Sequence, residues 1–364
     1  MQKELNRMEN ILYVGGFVLP DRNAAAQRVI AIAKGFRELG HQVIFLNYSD
    51  QVEKSCWTEY SGFSCYDAPK RSMYHHLTDI NDVIRIMDEK KITSVVAYNY
   101  PAVALNKLIN WCHKRRIRCY ADATEWYIAQ GGLVFKVIKT IDTEWRMRLL
   151  HKKMDGVIAI SDYLYRYYKD KVHTVKIPPT VDINDEKWQV HPIEWPKDKT
   201  VFVYAGSPTA QKERLDLILD AAEVLKDRYS LVVRVIGITE EQYETMYGKE
   251  APESCVEFLG RISHKEVIRE VKSADWSIII RDNNKVVMAG FPTKVVESIA
   301  CGTPVIANPF SNIGDYLNES NSVWCKQDAI EVAMEQAMNC RLRVNKRIFG
   351  YHGYLHDLIA LLNP

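Results

Sequence analysis

The sequence predicts an α/β protein in which one architecture is built twice. Apolar, β-branched runs alternate with amphipathic helical stretches through the first half, and the alternation restarts near residue 200. Such alternation gives parallel sheets covered by helices. Between the halves, 184–199 is rich in charge and proline and has no periodicity, which is the composition of a linker. The expected division is a first domain over 1–183, a linker over 184–199 and a second domain over 200–344.

In the first half, Ile11 to Val14 reads as a buried strand and Gly15-Gly16 opens the loop after it. Asn23 is placed to cap a helix from Ala24 to Leu39, with Gly40 as its stop. Gln42 to Leu46 is the next strand, and further strands are expected at Ser94–Tyr98, Ile117–Ala121, Gly156–Ile160 and Thr174–Ile177. The second half opens with a strand at Val201–Tyr204, then Ala205-Gly206 and a helix from Arg214 to Lys226. Strands follow at Leu231–Ile236, Val256–Leu259, Trp276–Ile280 and Thr303–Ala307. Paired sheets of this kind bind ligands at the carboxyl ends of their strands, so a cleft between the domains is the expected site. The tail from Val344 to Leu362 has helical periodicity.

Length and composition narrow the function. At 364 residues the chain has room for two cores of ordinary size. A formal net charge of +2 is too small for a nucleic-acid partner. No apolar run reaches the length of a membrane span, and the polar start from Met1 to Asn10 is unlike a signal peptide. The eight cysteines form no C-x-x-C pair and no zinc spacing, as expected for thiols in a reducing cytoplasm. Between Lys107 and Lys153 basic side chains exceed acidic ones by seven, with Trp145, Met147, Leu149 and Leu150 among them. That pattern suits either a solvated helix face or docking at the inner membrane surface.

The most informative segment is 290–308. A glycine turn leads into a helix starting near Thr293 and stopping at Gly302, followed at once by a short buried strand. Helix N-termini gather unpaired N–H groups and partial positive charge, so a phosphate fits in front of Gly290, Phe291, Pro292, Thr293 and Lys294. Glu297 comes one turn later and is able to accept hydrogen bonds from a ribose diol. The same features suit a purely structural helix, because the dipole alone favours an acid near its start and Gly302 is an ordinary stop.

This segment resembles the donor-site signature of the large retaining glycosyltransferase family with the GT-B fold. In that family glycine-phenylalanine precedes a helix carrying a glutamate, and the run Cys301-Gly-Thr-Pro-Val-Ile306 follows. The resemblance implies two Rossmann-like domains facing across a cleft, with 345–364 crossing back to the first domain. It also implies a sugar donor that is a UDP- or GDP-sugar, and no other cofactor. Lys212 falls on the family's phosphate lysine; the accompanying arginine is replaced by Ser207, beside Gly206, which leaves Arg214 or Arg261 to supply a cation. The earlier of the family's two glutamates is replaced by Ala289, which puts the donor sugar in question. Gly260 to His264 resembles the loop against the nucleobase, or is a plain capped helix start. Arg281, Asp282 and Asn283 end a neighbouring strand.

In the first domain Gly15 and Gly16 resemble the family's first loop, near the acceptor and donor phosphates. Asp122 and Glu125, in Tyr120 to Tyr127, are the candidates for polarising the acceptor or stabilising charge on the sugar, with capping by Asp122 as the alternative. Asn99 lines the same site. The implied reaction is metal-independent transfer to a glycan or lipid-linked acceptor, without an Asp-x-Asp pair for a cation. An epimerase or hydrolase of the same fold, or a non-catalytic sugar-nucleotide binder, would share these residues.

Overall fold

A computed structural model describes residues 8–20, 24–70, 72–126, 132–206, 208 and 212–363. They fall into two compact units, Met1–Val181 with Tyr351–Pro364, and Asp182–Gly350. The first unit holds strands β1 (Asn10–Gly15), β2 (Gln42–Ser49), β3 (Cys56–Tyr60), β4 (Phe63–Pro69), β5 (Ser94–Tyr98), β6 (Arg118–Ala123), β7 (Gly156–Ala159) and β8 (Thr174–Lys176). They form one sheet in the order β3-β4-β2-β1-β5-β6-β7-β8, parallel except for the β3–β4 hairpin at its edge. Sequence reasoning missed that hairpin. Its strands carry polar residues on both faces, and β3 is largely exposed, so they lack the buried apolar run that marked the others.

The second unit holds β9 (Thr200–Ala205), β10 (Leu231–Ile236), β11 (Val256–Gly260), β12 (Trp276–Ile279), β13 (Val305–Ala307) and β14 (Ser322–Trp324). Their order is β11-β10-β9-β12-β13-β14, and every pairing is parallel. The three-residue β14 was not expected, being too short to carry a pattern. In each unit the central strands are buried on both faces, which is why they read as continuous apolar runs.

The helix Ala24–Glu38 follows β1 as expected; its cap candidate Asn23 lies outside the described residues. The tail forms a 3-10 turn at Tyr351–Tyr354 and a helix at Leu355–Leu362. Leu358 and Leu361 join the first unit's core, and a Cβ on Gly35 would overlap Leu358. Two side chains bind the helix's last carbonyls: His173 Nε2 lies 2.8 Å from Ala360 O, and Arg118 donates to Leu362 O. Residues 184–199, expected as a linker, are instead pinned within the second unit. Trp188 is buried there, Lys272 donates to the carbonyls of Trp188 and Val190 at 2.8 and 2.9 Å, and Ile193 N donates to Ser273 Oγ at 2.6 Å. Proline and charge erased the periodicity of that stretch, but its tryptophans still bury apolar surface. Among the described residues no helix is long and apolar enough to cross a membrane.

One ion pair ties the first unit together from inside. Arg28, on the first helix, donates to Asp122 at 2.7 Å and to the carbonyls of Ile177 and Pro178, each at 3.0 Å. The Tyr13 hydroxyl donates to the same carboxylate at 2.6 Å. Both charged groups are buried, so each depends on the other for solvation. Asp122→Ala leaves the guanidinium unpaired and is expected to cost about 3–5 kcal/mol of stability. Urea unfolding checks this; a midpoint indistinguishable from the parent would contradict it.

Candidate active site

Each sheet reverses its strand order once, between β1 and β5 and between β9 and β12. Ligands of parallel α/β sheets bind beyond the carboxyl ends of the strands at such a reversal, where the loops diverge and leave a crevice. In the second unit this point lies past Ala205 and Ile279. Gly206 follows β9 with φ of 147°, a backbone conformation that favours glycine. Glu213 and Arg281 close the crevice through an isolated antiparallel bridge, and Arg214 N donates to Ile280 O at 2.9 Å.

A polar cluster fills that position. Lys294, at the second position of the helix Thr293–Cys301, donates to the Tyr204 hydroxyl at 2.7 Å and to Glu213 Oε2, and its ammonium stands 4.1 Å from the Tyr204 ring centre. The Tyr204 hydroxyl donates to the same carboxylate, and Arg281 Nη2 donates to Glu213 Oε1 at 2.6 Å. Arg281 Nε is buried and has no hydrogen-bond partner among the described residues. Two cations therefore share one acid, and the cluster keeps a net positive charge. Burial holds the Lys294 ammonium down to about 8; Glu213 pulls it up and Arg281 pushes it down further. Burial alone would raise the Glu213 carboxyl, but Lys294 and then Arg281 outweigh it and lower it.

Gly206 makes this placement possible. A Cβ there would overlap Cε of Lys294, with Nζ at 2.6 Å. The helix start is held by packing from the other side. Phe291 meets Tyr316 and Phe349 edge to face at 5.5 and 5.8 Å, and Ser311 Oγ donates to Gly290 O at 2.7 Å. Pro292 occupies the cap position without a side-chain cap, which leaves the first N–H groups of the helix without a cap acceptor.

One turn on, Glu297 points away from the apolar interior. Its Oε1 lies 3.1 Å from His264 Nε2, and its side chain is 18% exposed. His264 opens the helix His264–Ser273, whose Ser263 and Glu266 form a complete capping box. The Gly260–His264 loop is thus a capped helix start and also brings an imidazole to Glu297. Lys212 is half-buried, next to Glu213. Arg261 is exposed, and Arg214 is taken up by Asp216 at 2.8 and 3.0 Å and by Asp282 at 3.6 Å. Neither arginine joins the cluster; the cation that does is Arg281. Ser207 lies outside the described residues. Glu213 and Tyr204 were missed by sequence reasoning, because a glutamate after a lysine at a helix start looks solvent-facing.

In the first unit the reversal places Gly15 against β5. Its φ is 149°, and a Cβ would overlap the carbonyl of Tyr98. Gly16 N donates to Tyr98 O at 3.3 Å. Asn99 follows with φ of 43° and donates to Thr124 Oγ1 at 2.6 Å, while its buried Oδ1 has no partner among the described residues. Asp122 is corrected here: sealed in the core with Arg28 and Tyr13, it has no face toward a substrate. Glu125 is half-buried beyond the end of β6 and is the carboxylate of that segment left to the site. A pocket that sequence reasoning did not find opens beside Gly15 and Tyr100, lined also by Lys70, His75, His76 and Asp79.

Two parallel sheets with these reversals are the GT-B architecture. The chain is similar in structure to sucrose-phosphate synthase from Thermosynechococcus elongatus, with a TM-score of 0.63, 15% identity and coverage of 97% of both chains. A UDP-forming trehalose-phosphate synthase from Burkholderia xenovorans gives a TM-score of 0.66 at 8% identity, covering 98% of this chain and 99% of that one. The lipopolysaccharide outer core galactosyltransferase WaaB gives 0.62 at 12%, covering 97% of both. No curated protein matches the chain in sequence. Residues 186–348 match the family model of glycosyl transferases group 1. The match lies within the second unit, Asp182–Gly350.

Gly206→Ala is expected to displace Lys294 and strain the loop, reducing nucleotide affinity by roughly ten- to a hundredfold, the scale of one charge-assisted hydrogen bond. Calorimetric titration with UDP and GDP measures it. Unchanged affinity would mean that Lys294 does not face the nucleotide.

Proposed function

We propose that this protein is a retaining, metal-independent glycosyltransferase that moves a sugar from a UDP- or GDP-sugar to a hydroxyl of a glycan or lipid-linked acceptor. The reading places it at the inner membrane face in surface polysaccharide biosynthesis. The observation that carries it is the convergence on one crevice of Lys294, Arg281 and an uncapped helix start, with Glu297 one turn further on.

In this reading the donor diphosphate lies against the start of the Thr293–Cys301 helix, where the N–H groups of Phe291, Thr293 and Lys294 meet its oxygens, while Gly290 N is already taken by Val286 O at 3.1 Å. Pro292 fixes the turn. Gly206 lets the chain approach closely, and Lys212 reaches the outer phosphate. Glu297 accepts from the ribose hydroxyls, with His264 orienting its other oxygen. As the bond to the sugar breaks, negative charge builds on the leaving phosphate oxygen. Lys294, Arg281 and Lys212 neutralise it without reorganising, because Glu213 already fixes two of them in place. The acceptor hydroxyl attacks from the side the diphosphate leaves, so no protein nucleophile is required. Gly15, Gly16 and Asn99 line the acceptor side, and Glu125 polarises the attacking hydroxyl or stabilises positive charge on the sugar. Ala289 removes one carboxylate from the family's sugar contacts, so the donor sugar is recognised differently here.

Three substitutions test the assignment. Lys212→Ala and Glu297→Ala are each expected to abolish transfer and leave the unfolding transition in place. Incubation with donor alone separates the rival activities: conversion of the donor without acceptor would replace transfer by epimerisation or hydrolysis. The pH dependence of nucleotide binding is a third check. Lys294 is a base held down near 8, so it is charged below that pH and loses its proton as pH rises through it. Affinity is expected to be full below pH 8 and to fall above it. Glu213→Gln removes the group that opposes deprotonation, so the fall should move to lower pH. A profile flat from pH 6 to 10 would contradict the role given to Lys294.

A further inference from the structure

The pocket at the first unit's strand reversal is built from strand ends, the place where parallel sheets hold ligands. Gly15 ends β1, Lys70 follows β4, and Tyr100 comes two residues after β5. His75 and His76, on the helix Met73–Thr78, and Asp79 just after it close the pocket. That helix end is tied down: Lys107 Nζ donates to Thr78 O at 2.7 Å, and Asp79 N to His75 O at 2.8 Å. On the other wall the buried Arg146 donates to the carbonyls of Asn99 and Tyr100 at 3.2 and 3.4 Å. Ala102 N donates to Asp142 Oδ1 at 2.6 Å. These bonds fix the turn that carries the Tyr100 side chain, which is 4% exposed and lines the pocket. Its hydroxyl has no hydrogen-bond partner among the described residues. A buried hydroxyl left in that state is costly, and a ligand oxygen removes the cost.

We propose that this pocket binds a phosphate group carried by the acceptor, with Lys70, His75 and His76 around the phosphate and the Tyr100 hydroxyl donating to it. Three of the lining residues are basic and one is acidic, so the donor set suits an anionic oxygen ligand. Lys70 is exposed and pairs with the exposed Asp50 at 3.1 Å, a contact that an anion displaces at little cost. His75 Nδ1 lies 2.8 Å from Ser72 Oγ, so Nε2 is the nitrogen left for a ligand. Burial lowers the His76 imidazole; Lys139 and Lys70 lower it further and Asp142 opposes them, so positive potential prevails at that ring. Asp79 stands on the Tyr100 side. Its Oδ1 accepts from Asn81 N at 3.0 Å. Burial first, and then Asp79, raise the Tyr100 phenol, which therefore keeps its proton and acts as a donor. An acid at that side is suited to hydroxyls of the sugar that bears the phosphate. A soluble sugar phosphate and the diphosphate that joins a glycan to a carrier present the same oxygens. The site stands on the pocket itself; only its assignment to the acceptor rests on the transfer proposed above.

The test follows the imidazole signals of His75 and His76 in the full chain by nuclear magnetic resonance, assigned with His75→Gln and His76→Gln. Glucose 6-phosphate is the sugar-phosphate probe, isopentenyl diphosphate the alkyl-diphosphate probe, and glucose and sodium chloride are the controls. Both signals are expected to shift saturably with at least one phosphate probe and with neither control, and the tighter probe names the source. Lys70→Ala and Tyr100→Phe should each weaken that binding by roughly tenfold, the scale of one charge-assisted hydrogen bond, and leave calorimetric affinity for UDP and GDP unchanged. Signals that ignore both phosphate probes, or that respond as fully in Lys70→Ala, overturn the proposal. So does an equal response to glucose, since a neutral sugar would then be the ligand. The titrations involve no turnover, so failure of phosphate binding and failure of transfer are read separately.

Discussion

The polar cluster at the second unit's strand reversal depends on how Glu213 divides itself between two cations. Lys294 and Arg281 come from different elements, a helix start and the residues just past a strand end. Without an acid between them they would repel, and the lysine, already held down near 8, would give up its proton more readily. With Glu213 there, both are fixed and charged, and one excess positive charge remains. The parallel sheet supplies the crevice, Gly206 the clearance and the Phe291–Tyr316–Phe349 cluster the rigid helix start. Each of these would be ordinary alone.

The buried pair of Arg28 and Asp122 uses the same chemistry to a different end. There one cation meets one carboxylate, two guanidinium hydrogens go to backbone carbonyls, and Tyr13 donates to the same carboxylate. Both groups are sealed in the core, so the pair fastens the first helix to β6 and the chain after β8. In the second unit Arg281 Nε has no partner among the described residues and the charges do not cancel. A site differs from a core ion pair by what it leaves unsatisfied, and Asp122 leaves no face open to a substrate.

Much of this was legible in the sequence for simple reasons. Central strands such as Ile11–Val14 and Leu231–Ile236 are apolar throughout because both faces are covered, and the Thr293–Gly302 helix carries its stop in the sequence. Glu297 was legible because spacing alone puts it one turn past a glycine turn. What stayed hidden depends on contacts distant in sequence. Glu213 is 68 residues from Arg281 and 81 from Lys294, and no local pattern marks it as buried. The same holds for Asp122, whose partner is 94 residues away. The β3–β4 hairpin and the segment 184–199 were lost because polar or proline-rich composition hides burial on one side only.

The central claim is tested most directly by following Lys294 itself, through nuclear magnetic resonance of the lysine side chains over a pH titration, with Lys294→Met to assign the signal. The account predicts a lysine titrating near pH 8 in the free protein, moved clearly upward when UDP or GDP is bound, because a diphosphate stabilises the charged ammonium. A Lys294 signal that titrates at the same pH with and without saturating nucleotide would contradict it.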